Sequence, residues 1–315
     1  MSPLHYGAMA PPPTGQQFEI SRGDQRATVV EVGGGIRAYH LGDWAVLDGY
    51  ARDARCDGGR GQPLLPWPNR LEDGRYTFAG RELRLPVDEF ERSNAIHGLA
   101  RWSNWSALDQ RPDRVALGLT LYPRPGYPFT LEVRLEYALD EAGLRVRTTA
   151  TNVGTEALPF GVGYHPYLSV GSARIDEDEL RLPARQSLVT NERMLPTGDV
   201  VDVAGTDLDF RAGRRIGPLQ LDACFTGLER DAGGRATVEL RGPDGRRVDL
   251  WLDRAYDWLM VFTGDTLAPA RRRQGLAVEP MSCPANAFRT GVGLRVLQPG
   301  EAFAGTWGIV PHRRA

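Results

Sequence analysis

At 315 residues with 41% hydrophobic content, the chain can bury a sizeable core as one large domain or two smaller ones, which excludes disorder over most of its length. Its 38 basic residues nearly cancel 40 acidic ones, and the formal net charge of −2 gives no broad pull toward nucleic acid or an anionic membrane. All 38 are arginine, and without a lysine amine a Schiff-base aldolase, a pyridoxal-phosphate enzyme and a Walker-type phosphate loop are excluded.

Residues 1–17 are rich in Pro, Gly and Ala and read as a mobile tail ahead of a single domain spanning 18–315. The tail lacks the basic start and apolar run of a secretory signal, and no stretch is long enough to span a bilayer. Beyond it, Gly and Pro punctuate segments that alternate apolar and polar residues: Ala27–Val32, Val115–Tyr122, Leu131–Leu139, Leu144–Asn152, Ala236–Arg241, Val248–Leu252 and Trp258–Thr263. Period two predicts strands with one face in a core. No amphipathic run of helical length stands out, and no Gly-x-Gly-x-x-Gly follows a strand, which argues against a Rossmann fold. The expected fold is all-β, a large antiparallel β-sandwich. Tyr50 to Gln62 and Arg271 to Arg273 read as surface loops. Three widely spaced cysteines, Cys56, Cys224 and Cys283, form no Cys-x-x-Cys pair, so a reducing cytosol is the expected location.

Two of the five histidines lie among turn formers and aromatics: His97 in Asn94-Ala95-Ile96-His97-Gly98-Leu99, and His165 in Gly161-Val162-Gly163-Tyr164-His165-Pro166-Tyr167. Each suits either a binding loop or a hydrogen-bonded structural role. Glu279 ends a short apolar run in Gly275-Leu276-Ala277-Val278-Glu279-Pro280-Met281. In a partly desolvated cleft its pKa rises toward that of a general base, whereas on an edge strand it only faces water. No His-x-x-x-His, His-x-His or Cys-x-x-Cys spacing supports a metal site, and no Gly-x-Ser-x-Gly elbow supports a serine nucleophile.

The ordered set Pro68-Asn69-Arg70-Leu71, Gly74-Arg75-Tyr76-Thr77-Phe78-Ala79-Gly80, Asn94-Ala95-Ile96-His97-Gly98, Tyr164-His165-Pro166-Tyr167, Leu195-Pro196-Thr197-Gly198, Thr206-Asp207-Leu208-Asp209-Phe210-Arg211, Leu221-Asp222 and Val278-Glu279-Pro280 resembles the galactose mutarotase (aldose 1-epimerase) family from about residue 20 to the C-terminus. The resemblance implies a β-supersandwich and a cofactor-independent, metal-free isomerase. It acts on a free aldohexose such as glucose or galactose, as a monomer or homodimer. His165 is then the general acid and Glu279 the general base, and Arg70, His97, Asp222 and Asn69 bind the sugar. Trp67, Trp102 or Tyr164 are candidates to cover its apolar face. Leu65-Pro66-Trp67-Pro68 replaces the Gly-rich approach of many relatives and leaves the preferred sugar open. The alternatives are a non-catalytic sugar sensor on the same fold, a phosphosugar 1-epimerase, and a glycoside hydrolase pairing Glu279 with a carboxylate such as Asp222.

Overall fold

A computed structural model describes residues 11–314. All seven expected strands form, their ends shifted by no more than about two residues, within the usual scatter of element boundaries. Leu131–Leu139 shows the cause. Leu131, Val133, Leu135, Tyr137 and Leu139 are buried while the residues between them are at least partly exposed.

Two large antiparallel sheets build the molecule. The nine-stranded sheet runs in the order Ser106–Arg111, Arg114–Leu121, Leu131–Leu139, Leu144–Asn152, Ala302–His312, Arg247–Leu252, Ala236–Arg241, Glu179–Arg181 and Arg214–Arg215. The eight-stranded sheet carries much of the candidate site. Seven short strands matter for that site: β1 (Arg70–Glu72), β2 (Asn94–Ile96), β3 (Gly163–Tyr164), β4 (Tyr167–Leu168), β5 (Asp222–Leu228), β6 (Trp258–Phe262) and β7 (Leu276–Met281). Strands β5, β6 and β7 are consecutive neighbours in the eight-stranded sheet, β3 and β4 both pair with β7, and β1 pairs with β2 in a separate ribbon.

One hydrophobic core joins the sheets. Val133, Leu135, Val146, Leu240 and Leu250 of the first share it with Phe225, Leu259, Val261 and Val278 of the second. Tyr164 on β3 bridges them, with its ring 5.0 Å from that of Trp307 and its hydroxyl 2.5 Å from Thr148 Oγ1. Every residue of β7 is buried, because both faces of this strand are covered, so Glu279 is not an edge-strand acid facing water.

Three expectations change. Residues 1–10 of the expected tail lie outside the described residues, but the rest of that segment packs against the domain. Thr14 is buried, the Gln16 amide donates to Glu31 Oε2 at 2.8 Å, and the first strand starts at Gln17. The stretch from Tyr50 to Gln62 is not wholly a surface loop: Arg60 is 1% exposed, held by Asp48 at 3.1 Å and Asp57 at 3.0 Å. Arg273 is likewise buried, paired with Asp265 at 3.0 Å and Asp176 at 3.2 Å. Nearby carboxylates offset the cost of taking these guanidiniums out of water.

Asp178 is buried, with Ser172 Oγ donating to its Oδ1 at 2.5 Å. Burial lifts its pKa to about 6, against the lowering effect of that hydrogen bond. A carboxyl whose folded pKa exceeds its unfolded one contributes stability below the unfolded value and loses it as pH rises through the folded one. Asp178→Asn is therefore expected to stabilise the protein by about 1–2 kcal/mol at pH 8 and by little at pH 4. Urea unfolding at both pH values checks this, and equal effects at the two would contradict it.

Candidate active site

Strand register brings the chemistry together. Gly163 of β3 faces Met281, and Tyr167 of β4 faces Ala277, so His165 between them falls opposite Glu279. The Val278 amide donates to the Pro166 carbonyl at 3.1 Å and fixes this alignment. Across β7, Glu279 pairs with Met260, which pairs with Cys224, while Ala277 pairs with Phe262, which pairs with Asp222. Cross-strand partners share a face and faces alternate along a strand, so Glu279 and Asp222 stand on one face while Val278 and Val261 enter the core.

The β1–β2 ribbon supplies the opposite wall. Arg70 faces Ile96 in register, and the residues just outside each strand, Asn69 (φ 55°) and His97 (φ 64°), are left-handed. The His97 amide donates to the Asn69 carbonyl at 2.9 Å, and Asn69 Oδ1 accepts from the Arg70 amide at 2.9 Å. Asn and His are among the non-glycine residues that adopt this conformation most readily. The turn carries His97 beside His165, with ring centroids 5.5 Å apart.

The six residues singled out from the sequence, Asn69, Arg70, His97, His165, Asp222 and Glu279, all line one cleft of about 470 Å³, a size typical of small-molecule sites. His165 Nε2 lies 3.2 Å from Glu279 Oε1, and both side chains are buried. Four buried atoms of cleft-lining residues have no hydrogen-bond partner in the protein: His165 Nδ1, Glu279 Oε2, His97 Nδ1 and Arg101 Nε. Such atoms are costly unless a ligand satisfies them.

Burial disfavours the charged form of each group. It pushes the His165 imidazole well below the usual histidine range, with the Arg60 guanidinium adding to the effect. It pushes Glu279 well above the usual carboxylate range, with Asp222 reinforcing and Arg70 opposing. His97 is also pushed down by burial, and then by Arg101 and His165. Burial raises Asp222 too, against the pull of Arg70.

Other contributors were given no role from the sequence, although Tyr167 lies in the same motif as His165. Glu89 grips Arg70, with each carboxylate oxygen 3.0 Å from Arg70 Nε, and Arg70 Nη2 lies 3.8 Å from Asp222 Oδ2. The Tyr167 ring stacks on His165 at 4.9 Å and 11°, and the Arg60 guanidinium lies 4.4 Å from the Tyr167 ring centroid. A Cβ at Gly59 would meet His165 Cδ2 at 2.9 Å, so the 55–62 segment holds the imidazole from the side. Of the three aromatics proposed to cover a sugar, Trp67 and Tyr164 are buried away from the cleft, while Trp102 lines it, half-exposed, along with Tyr167 and Phe262. Cys283 is buried and does not line the cleft. Among the described residues no His, Cys, Asp and Glu cluster could hold a metal ion.

The family model described as aldose 1-epimerase matches residues 16–309. The Escherichia coli K12 protein YihR is 35% identical over 302 residues, covering 95% of this chain and 92% of its own length. Galactose mutarotase of Mus musculus is 24% identical, covering 75% of this chain and 73% of its own length. The crystal structure of the GalM/aldose epimerase homologue from C. elegans superposes with a TM-score of 0.84 at 16% identity, covering 95% of this chain and 99% of that one. With the all-β sandwich and the clustered motif residues, these matches make the chain an isomerase of the galactose mutarotase/aldose 1-epimerase family.

Proposed function

We propose that the protein interconverts the α and β anomers of an aldohexose with a free C1 hydroxyl, using Glu279 as base and His165 as acid. The observation that supports this most directly is the 3.2 Å contact between His165 and Glu279, in a cleft where each also presents a buried atom without a protein partner. The C1 hydroxyl and the ring oxygen sit on the same carbon, so one carboxylate and one imidazole in contact match that edge of the sugar.

Glu279 takes the proton of the C1 hydroxyl while His165 donates to the ring oxygen, and the C1–O5 bond breaks to give the open-chain aldehyde. After rotation about C1–C2, the C5 hydroxyl attacks the other face of C1. Its proton returns to His165, and Glu279 returns the first proton to the new C1 oxygen. Both groups end as they began. Arg70, His97, Asp222 and Asn69 line the approach and bind ring hydroxyls. Arg70, fixed by Glu89, presents its remaining donors in a defined direction.

An imidazolium beside a carboxylate holds the same number of protons as a neutral imidazole beside a carboxylic acid. Burial favours the neutral pair, and the working form is reached by moving one proton across the 3.2 Å contact. Loss of activity at low pH requires a second proton on His165, which burial delays to below the ordinary histidine value of about 6.5. Loss at high pH requires removal of the shared proton, which burial delays to above the ordinary glutamate value of about 4.3.

Polarimetry of freshly dissolved α-D-glucose and α-D-galactose, corrected for the spontaneous rate, tests both claims. Acceleration with a bell-shaped pH profile whose acid limb lies below about 6.5 is expected. An acid limb centred on that value would contradict the buried neutral pair. Tight sugar binding without acceleration would indicate a sensor, and sugar release from an aryl glycoside a hydrolase.

A further inference from the structure

The general acid shares an aromatic ring with a buried cation. The His165 imidazole stacks on Tyr167 with the two planes 11° apart, and the Arg60 guanidinium lies over the same ring, 4.4 Å from its centroid. Arg60 is 1% exposed and does not line the cleft, so its charge is not offered to the substrate. Its Nε and Nη2 donate to Asp48 Oδ2 at 3.3 Å and 3.1 Å, and its Nη1 pairs with Asp57 Oδ2 at 3.0 Å. The same two carboxylates also hold Arg271, at 3.1 Å and 3.8 Å. A buried ion pair is weak evidence for stability, because an apolar side chain of similar volume often serves as well. What this pair adds is a fixed charge against the ring that carries the imidazole.

The surrounding backbone holds that arrangement in place. Tyr167 Oη donates to the Gly58 carbonyl at 2.9 Å, and the Asp48 amide donates to the Tyr167 carbonyl at 2.9 Å. The Gly61 amide donates to the His165 carbonyl at 2.9 Å and the His165 amide donates to the Gln62 carbonyl at 3.1 Å, so the segment carrying Arg60 and the one carrying His165 are joined on both sides of the guanidinium.

We propose that Arg60 is a positioning residue of the anomer exchange described above, on which this inference rests, and that it acts through Tyr167 to hold a permanent positive charge beside the general acid. The other titratable or charged groups that act on His165 are Glu279 from β7, His97 and Arg70 from the ribbon, Arg101 from the turn that follows it, and Tyr167 itself. Burial is the main cause that keeps the imidazole below the usual histidine range, and Arg60 is the strongest of the cations adding to it. A like charge opposes a second proton on the catalytic pair. Arg60 therefore keeps His165 and Glu279 sharing a single proton, the state from which exchange proceeds, down to a lower pH.

Arg60→Met removes the charge and keeps an apolar contact with Tyr167, while Asp48 and Asp57 retain Arg271. The acid limb of kcat/KM for anomer exchange is expected to rise by about one pH unit in this variant, toward the ordinary histidine value of about 6.5. Arg60→Lys keeps a charge at the same place and should leave the limb within about 0.3 units of wild type. If Arg60→Met does not fold, Arg60→Met/Asp57→Asn, which matches one cation to one carboxylate, should show a limb raised in the same direction. A limb that stays in place without the charge, or that rises as far in Arg60→Lys, would overturn the proposal and make Arg60 a structural partner of Asp48 and Asp57 alone. Proton NMR titration of the His165 imidazole, assigned against His165→Ala, reads the same shift without the reaction. A titration raised in Arg60→Met, in a protein that accelerates no anomer exchange, would uphold the placement of the charge and defeat the epimerase reading. Exchange that proceeds with both limb and titration unmoved would defeat the role of Arg60 alone.

Discussion

Glu279→Gln is expected to lower kcat for anomer exchange by about 10²–10⁴-fold with little change in KM, because an amide of the same shape fills the same space and cannot take the proton. His165→Ala should fall by a similar factor, since water in its place is a poor acid near the ring oxygen. The informative result is the double variant. Two groups that move protons in one concerted step do not contribute independently, so the double loss should be close to the larger single loss rather than to the product. A multiplicative loss would mean that the two residues act in separate steps and that the 3.2 Å contact is not the reacting pair. Misfolding does not explain the expected loss in Glu279→Gln. That change removes a buried carboxyl whose Oε2 has no protein partner, so unfolding free energy should hold or rise.

How much of this was legible in the sequence follows from how far each feature reaches along the chain. The strands were legible because alternation is local, as Leu131–Leu139 shows. His165 and Glu279 stood out within short motifs, but their contact depends on a strand pairing that joins residues more than a hundred positions apart, which no local pattern encodes. The stretch from Tyr50 to Gln62 misled for a physical reason. Its Gly, Arg and Asp content is that of a solvated loop, yet Asp48 and Asp57 let Arg60 enter the interior and back the Tyr167 ring. Arg273 repeats the pattern with Asp176 and Asp265. In a chain whose every cation is arginine, composition alone does not separate a surface guanidinium from a buried one. Glu89 was silent for the same reason as the strand pairing: nothing near it in sequence announces its contact with Arg70.

That contact carries the second large effect. Arg70 and Glu89 are both largely buried, and Glu89 sits below the usual carboxylate range because hydrogen bonds from Arg70 and Asn94 outweigh the cost of its burial. Arg70→Met leaves Glu89 with Arg92 at 3.3 Å and the Asn94 side-chain amide but without its most buried partner, and losing charged hydrogen bonds of this kind costs about 1.5–3 kcal/mol. The penalty depends on pH in a definite direction. Glu89's pairing contributes stability above the unfolded carboxylate value and loses it as pH falls through the depressed folded value. In the variant, Glu89 relieves its weaker compensation by taking up a proton more readily, so the difference from wild type should be largest near pH 8 and shrink toward pH 4. Arg70→Met/Glu89→Gln should recover most of the stability, because neither partner is left charged and buried. It should not recover the site. With no guanidinium opposite Asp222, the double variant is expected to keep a KM about 10-fold or more above wild type, since sugar hydroxyls lose a charged donor. Urea unfolding at the two pH values and anomer-exchange kinetics separate the two roles. Recovery of both stability and KM would make Arg70 a structural partner of Glu89 alone, whereas recovery of stability without KM assigns it to both the fold and the sugar.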